Sequence, residues 1–292
     1  MVYEIPMHTL LILDLVNQKQ TTNMKYLSLF LVSVLAFSVP AQAQTVAEIM
    51  EKSMKAMANA THLEYHFFST ERFGPNKFEN SEVKFKYQQS PLKIYAEAIK
   101  PESAKLLYIP SENAKINVKK GPLKLNLDVY SNMLMKQQHH PLYKAGFGTV
   151  KGILEHNLKS RGLTAAQYGE FAKIIGTVTY DGKPCWHIEI LDKDYKMTTY
   201  TVKTEKDVWE LGKKLAIPEF KVKQLNNIGN DLKAGQVLKV PSSYAKKTTV
   251  YVCKSTYLPI YQKMEDEEGV YEVFEFKSLK TGVKFTDTDF SH

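Results

Sequence analysis

The chain has 292 residues, 43% of them hydrophobic with 17 Tyr and 14 Phe, and its 39 Lys and Arg against 31 Asp and Glu give a net charge of +8. That apolar content excludes disorder over most of the length, and the size allows one large or two modest domains. Basic residues alternate with acidic ones, which argues against a nucleic-acid patch and for a general attraction to anionic polymers or lipid headgroups.

Residues 1–43 read as a leader. Met24-Lys25 precedes the uncharged run YLSLFLVSVLAFSV, then Pro40 and the small-residue exit Ala41-Gln42-Ala43. This is the pattern of a cleaved secretory signal, too short for a membrane span, and Met24 is the expected start. No Cys follows the cleavage point, so lipid anchoring there is not expected. The expected location is the periplasm of a Gram-negative envelope, with no membrane span left after cleavage.

From Val46 to Ala58 apolar spacing predicts one amphipathic helix ending near Asn59. Strands are expected over 62–73, 79–89 and 92–99, broken at Gly74-Pro75-Asn76 and Ser90-Pro91. Val83, Phe85 and Tyr87 alternate with Lys84 and Lys86, so one face should be buried and one wet. Leu106–Ile109, Ala114–Val118 and Leu123–Leu127 continue the meander. Residues 130–148 lose periodicity and read as a loop with apolar plugs. Helices are expected over Thr149–Arg161 and Thr164–Phe171, the second with Thr164 as N-cap. Strands return at 174–180 and Cys185–Leu191, and again at Thr248–Lys254, Tyr261–Met264 and Tyr271–Lys277.

Between those last groups lies Tyr200–Pro241. Its opening YTVK, Trp209 with Leu211, Leu225-Asn226 and the closing LKAGQVLKVP resemble a LysM domain. The resemblance implies a small βααβ module that binds N-acetylglucosamine polymers such as peptidoglycan. It places glycan contacts in two loops, Glu205-Lys206-Asp207-Val208 and Asn227-Ile228-Gly229-Asn230. The first departs from the usual Gly-Asp-Thr pattern, which puts affinity in question more than fold. Trp209 is read as core in preference to sugar stacking, as are Leu211, Leu215 and Leu225.

Outside this module the outline is an N-terminal helix, a long antiparallel run, a helical interruption and more strands. With the closing segment 248–290 and the strand GKPCWHIEI, it resembles a LolA-like, DUF1571-type protein. That implies an α+β fold: an antiparallel half-barrel with plugging helices, here over 44–199 and 242–292, with residues 200–241 inserted in a hairpin. The ends of a LysM fold lie about one strand spacing apart, roughly 5 Å, so it can replace a hairpin tip. Taking Tyr200 opposite Pro241 puts Cys185 opposite Thr256 and Cys253 opposite Ile188. The two cysteines are then either a slipped disulfide pair or two buried free thiols on neighbouring strands.

The half-barrel resemblance implies an apolar cavity for an acyl chain. Its candidate lining is Tyr65, Phe67, Phe85, Tyr87, Leu125 and Leu127, with Met133 and Met135 as mobile plugs; the alternative is that these fill an ordinary sheet core. His62, Glu64 and His66 share a strand face, and His139-His140 are adjacent in a loop, but no H-E-x-x-H or paired C-x-x-C spacing appears. No metal or other cofactor is expected. Glu265-Asp266-Glu267-Glu268 reads as a solvated hairpin tip. With no G-x-S-x-G and no paired carboxylates of glycosidase type, the expectation is a non-enzymatic binding protein of the envelope, with peptidoglycan and an acyl chain or lipoprotein as partners. The rival readings are a structural or sensor protein making protein contacts, and an accessory of cell-wall enzymes.

Overall fold

Strand alternation is the dominant local signal, and it organises one large sheet and a separate two-stranded ribbon. The computed structural model describes residues 44–292, of which Thr45–His292 form one compact unit. The leader and signal expected over residues 1–43 lie outside the described residues. Thr45 caps the first helix, α1 (Val46–Asn59), through a reciprocal pair: its hydroxyl accepts from Glu48 N, and its own N donates to the Glu48 carboxylate.

Six strands follow: β1 (His62–Gly74), β2 (Lys77–Gln89), β3 (Leu92–Lys100), β4 (Ala104–Tyr108), β5 (Ile116–Lys120) and β6 (Leu123–Leu127). A loop holding the short helix α2 (Asn132–Met135) leads to α3 (Gly148–Ser160) and then to β7 (Ala172–Tyr180) and β8 (Lys183–Leu191). The helix expected over Thr164–Phe171 is instead a 3-10 turn, Ala165–Glu170, that buries Tyr168. The chain next makes β9 (Met197–Thr201), α4 (Val208–Leu215), α5 (Glu219–Asn226) and β10 (Val237–Pro241), and closes with β11 (Lys247–Cys253), β12 (Pro259–Asp266) and β13 (Gly269–Thr281).

Eleven strands form one antiparallel sheet in the order β6-β5-β4-β3-β2-β1-β13-β12-β11-β8-β7, while β9 and β10 pair apart as a two-stranded ribbon. The segment 197–241 thus has the element order βααβ and its own core, built on Val208, Trp209, Leu211, Val222 and Leu238. One register runs through the connection. Cys253 faces Cys185, Lys247 faces Leu191, Pro241 faces Met197 and Val237 faces Thr201. The bonds Asp192 N to Lys246 O and Ser242 N to Lys196 O carry the pairing across the junction. Tyr200 therefore pairs with Leu238, three residues from the expected Pro241, and the cysteines are directly opposite with no slip. The opening strand also ends earlier than YTVK predicts. Val202 turns into the module core, and the Glu205 carboxylate takes the Lys203 amide out of the ladder.

Helices α1 and α3 lie on one face of the sheet. Ile49 and Met50 of α1 and Leu158 of α3 pack with Ile188, Val250 and Val252, and Leu154 touches the larger core around Tyr65, Ile94 and Phe276. No helix among the described residues is long and apolar enough to cross a membrane.

Candidate functional site

The helix-covered face changes character along its strands. Inward positions of β1 run Tyr65, Phe67, Ser69, Glu71 at the two-residue period of a strand. Register sets Phe85 beside Tyr65, Val83 beside Phe67 and Ser81 beside Ser69 on β2, and Phe276, Phe274 and Glu272 beside Phe67, Ser69 and Glu71 on β13. One end of the face is therefore aromatic and the other polar. Between this face, α3 and the loop before it lies a cavity of about 1460 Å³, counting its open mouth. Phe67 meets Phe274 and Phe276 with ring centroids 5.5 and 5.2 Å apart, and Val150, Ile153 and Leu154 of α3 line the opposite side.

At the polar end Glu71 and Glu272 stand directly opposite each other on β1 and β13. Like charges so placed repel unless something lies between them. His139 does so. Its Nδ1 is 2.7 Å from Glu272 Oε1 and 3.6 Å from Glu71 Oε2, and its backbone N donates to Glu71. Its Nε2 reaches the Arg72 carbonyl oxygen at 3.1 Å, and its ring is stacked between Phe220 and Tyr271. His140 Nε2 adds a second contact to Glu272 at 3.1 Å, and the Tyr244 hydroxyl donates to Glu272 Oε2 at 2.8 Å. Burial works against charge on both partners. The Glu272 carboxylate nonetheless raises the pKa of His140, and the two imidazoles hold Glu272 well below the usual carboxylate range. Glu71, His139 and Glu272 bring ligand-type atoms within 4.8 Å of one another, a donor set that suits a divalent cation. Those atoms are engaged here with each other, and Ser69 and Tyr244 hold the outer carboxylate oxygens.

The loop over residues 128–147 closes the cavity and also docks the βααβ module. On the cavity side it supplies Gln138, His140, Leu142 and Gly146. Gly146 is at φ +78°, and a Cβ there would lie 3.0 Å from the Tyr87 ring, so only glycine fits. On the module side Tyr130 stacks on Trp209 at 4.8 Å, Met135 is buried in the module core, and Lys144 pairs with buried Glu219. Helix α5 completes the junction. Phe220 packs on Phe73 and His139, and Lys221 joins Arg72 on Asp266, all three largely buried. Glu265–Glu268 is therefore not a freely solvated tip. Asp266 is 5% exposed, and Glu267 bonds Lys221 and Tyr195.

The two module loops expected to meet glycan do lie together, joined by Val208 N to Asn230 O and Leu232 N to Lys206 O. Their side chains differ in availability. Val208 is fully buried, and Asp207 caps α4 by accepting from Trp209 N and Glu210 N. Glu205 is buried, and hydrogen bonds from Lys214 and the Lys203 amide lower its pKa to about 2. Val208 and Glu205 are thus taken up within the fold, and Asp207 commits one carboxylate oxygen, Oδ1, to the cap. Lys206, Asn227 and Gly229 are exposed, Ile228 is half-buried, and Asn230 accepts from Lys223 at 2.9 Å. Trp209 is 4% exposed and lies in the core.

Among the expected cavity residues, Tyr65, Phe67 and Phe85 line the cavity. Tyr87 is buried beside it under Gly146. Leu125 and Leu127 sit on the edge strand β6, five strands from β1, where register carries them away from the site. Met133 is exposed, and Met135 belongs to the module core. Glu71, Glu272, Tyr244 and Gln262 were not singled out in the sequence. For Glu71 a signal existed, since a carboxylate two residues beyond Ser69 on the apolar phase of β1 must be buried with a partner.

The site offers apolar volume, an enclosing shape, mutually paired charges and a few neutral polar groups, the character of a binding cavity. No protein-family model and no curated protein matches the chain. Among solved structures it is similar to LprF from Mycobacterium bovis, with 13% identity, TM-score 0.43, and coverage of 82% of this chain and 95% of that one. It is also similar to a chain in the MucA/MucB complex of Pseudomonas aeruginosa, with 9% identity, TM-score 0.39 and coverage of 84% and 60%. A LolA superfamily protein from Nitrosomonas europaea gives 9% identity, TM-score 0.32 and coverage of 86% and 99%. The chain spans about 60% of the length of the chain it matches in the MucA/MucB complex.

Proposed function

We propose that this is an exported, non-enzymatic envelope protein that holds a hydrophobic or lipidated ligand in the sheet cavity and binds peptidoglycan through the βααβ module, read as a LysM domain. The observation that carries the reading is the shared loop 128–147. It lines an aromatic cavity on one side, and on the other it stacks Tyr130 on Trp209 and buries Met135 in the module core. A glycan-tethered module would thereby hold the cavity near the cell wall, with contacts supplied by the exposed backbone around Lys206, Asn227 and Gly229.

Co-sedimentation with purified sacculi tests the glycan half. Removing the whole module would expose the apolar docking surface, so a point change is preferable. A Cβ at Gly229 meets nothing within 4 Å, and its φ is not in the left-handed region, so Gly229→Trp is accommodated. The mature protein is expected to pellet with sacculi, and Gly229→Trp to pellet several-fold less with unchanged circular dichroism. If the parent protein stays in the supernatant, the module is structural and the glycan reading is wrong.

A further inference from the structure

The cavity lining sorts its polar groups in a way that selects among ligands. We propose that the occupant is an uncharged lipid of acylglycerol type, taken in with its ester and hydroxyl oxygens, and not a fatty-acid anion or a phospholipid. This rests on the cavity reading above.

Each ionisable side chain around the cavity already has an internal counterpart. Arg161 pairs with Asp192 at 2.6 Å, and Ser243 donates to the same carboxylate at 2.6 Å. Lys144 is held by Glu219, which is 2% exposed. Glu71 and His140 belong to the buried cluster with His139 and Glu272, two carboxylates against two imidazoles. An entering carboxylate or phosphate would find no unmatched cation and would have to break one of these pairs, stranding a buried charge.

Neutral groups are in the opposite condition. The half-buried side chains of Gln138, Thr149, Asn157 and Thr248 face the cavity, and none of them has a hydrogen-bond partner among the described residues. Amides and hydroxyls are the groups that match ester carbonyls and alcohols. Aromatic rings supply apolar surface for the chains between these polar positions.

The test uses delipidated mature protein and three ligands with the same acyl chain: dioleoylglycerol, dioleoyl phosphatidic acid and oleate. Native mass spectrometry and competition against a fluorescent diacylglycerol read occupancy. Dioleoylglycerol is expected to bind, with the two anions roughly 100-fold weaker. Glu219→Gln would release Lys144 as an unpaired cation at the wall and is expected to raise phosphatidic acid affinity at least about tenfold. Equal or tighter binding of either anion by the parent protein overturns the inference while leaving the cavity reading intact. Failure of all three to bind removes the cavity reading and this inference with it. Unfolding of Glu219→Gln leaves the parent-protein comparison to decide.

Discussion

Glu71, His139, His140 and Glu272 are four ionisable groups drawn from β1, β13 and a loop and largely removed from water. Removing one partner from such a cluster strands the others, so it is sensitive to pH. The raised pKa of His140 means that its contribution is complete below the free value of 6.5 and is lost as pH climbs through the raised one. Glu272 is lowered, so its contribution is present above 4.5 and is lost as pH falls through the depressed value. The cluster stabilises most between those limits. Melting temperature is therefore expected to decline from pH 6 to pH 8, and His140→Gln to flatten that decline by about 2–4 °C. Parallel melting curves for the two proteins over that range would show that the pair does not titrate as described.

At the scale of elements, strands were the legible part of the sequence and long-range register was not. Alternation at Val83, Phe85 and Tyr87 located β2, and Gly-Pro-Asn and Ser-Pro located its neighbours, because these signals are local. The cavity needed pairing across the sheet. Leu125 and Leu127 alternate as well as Tyr65 and Phe67 do, yet β6 ends at the sheet edge while β1 lies at its centre. The facing of Cys185 and Cys253 was obscured by one assumed pair, Tyr200 with Pro241, since a three-residue error there propagates unchanged to the hairpin base. Glu265–Glu268 looked solvated because its cations, Arg72 and Lys221, come from distant positions in the chain. Loop 128–147 had no periodicity to read, as its order comes from Tyr130 on Trp209 and Lys144 on Glu219. Tyr130→Ala removes the first of these contacts and the hydroxyl contact to Tyr143. It should cost about 1–3 kcal/mol and speed limited proteolysis between residues 128 and 147. A cleavage rate equal to the parent's would mean that the loop is held independently of the module.

The described residues couple a βααβ module to a sheet cavity through a two-stranded connection in one register and a shared loop. The same register holds on both sides of the junction, from Cys185 and Cys253 to Thr201 and Val237, and the module is fixed to the sheet by the Asp192–Lys246 and Lys196–Ser242 backbone bonds as well as by the Lys221 and Phe220 contacts. Such a joint favours a body in which cavity and module move together. The cavity is proposed to hold a hydrophobic ligand. The most direct measurement is mass spectrometry of an organic extract of the protein purified from cells without detergent. A lipid is expected at near one mole per mole of protein, lost when Val150→Trp fills the wall. An extract with no lipid above the level of that filled variant would contradict it.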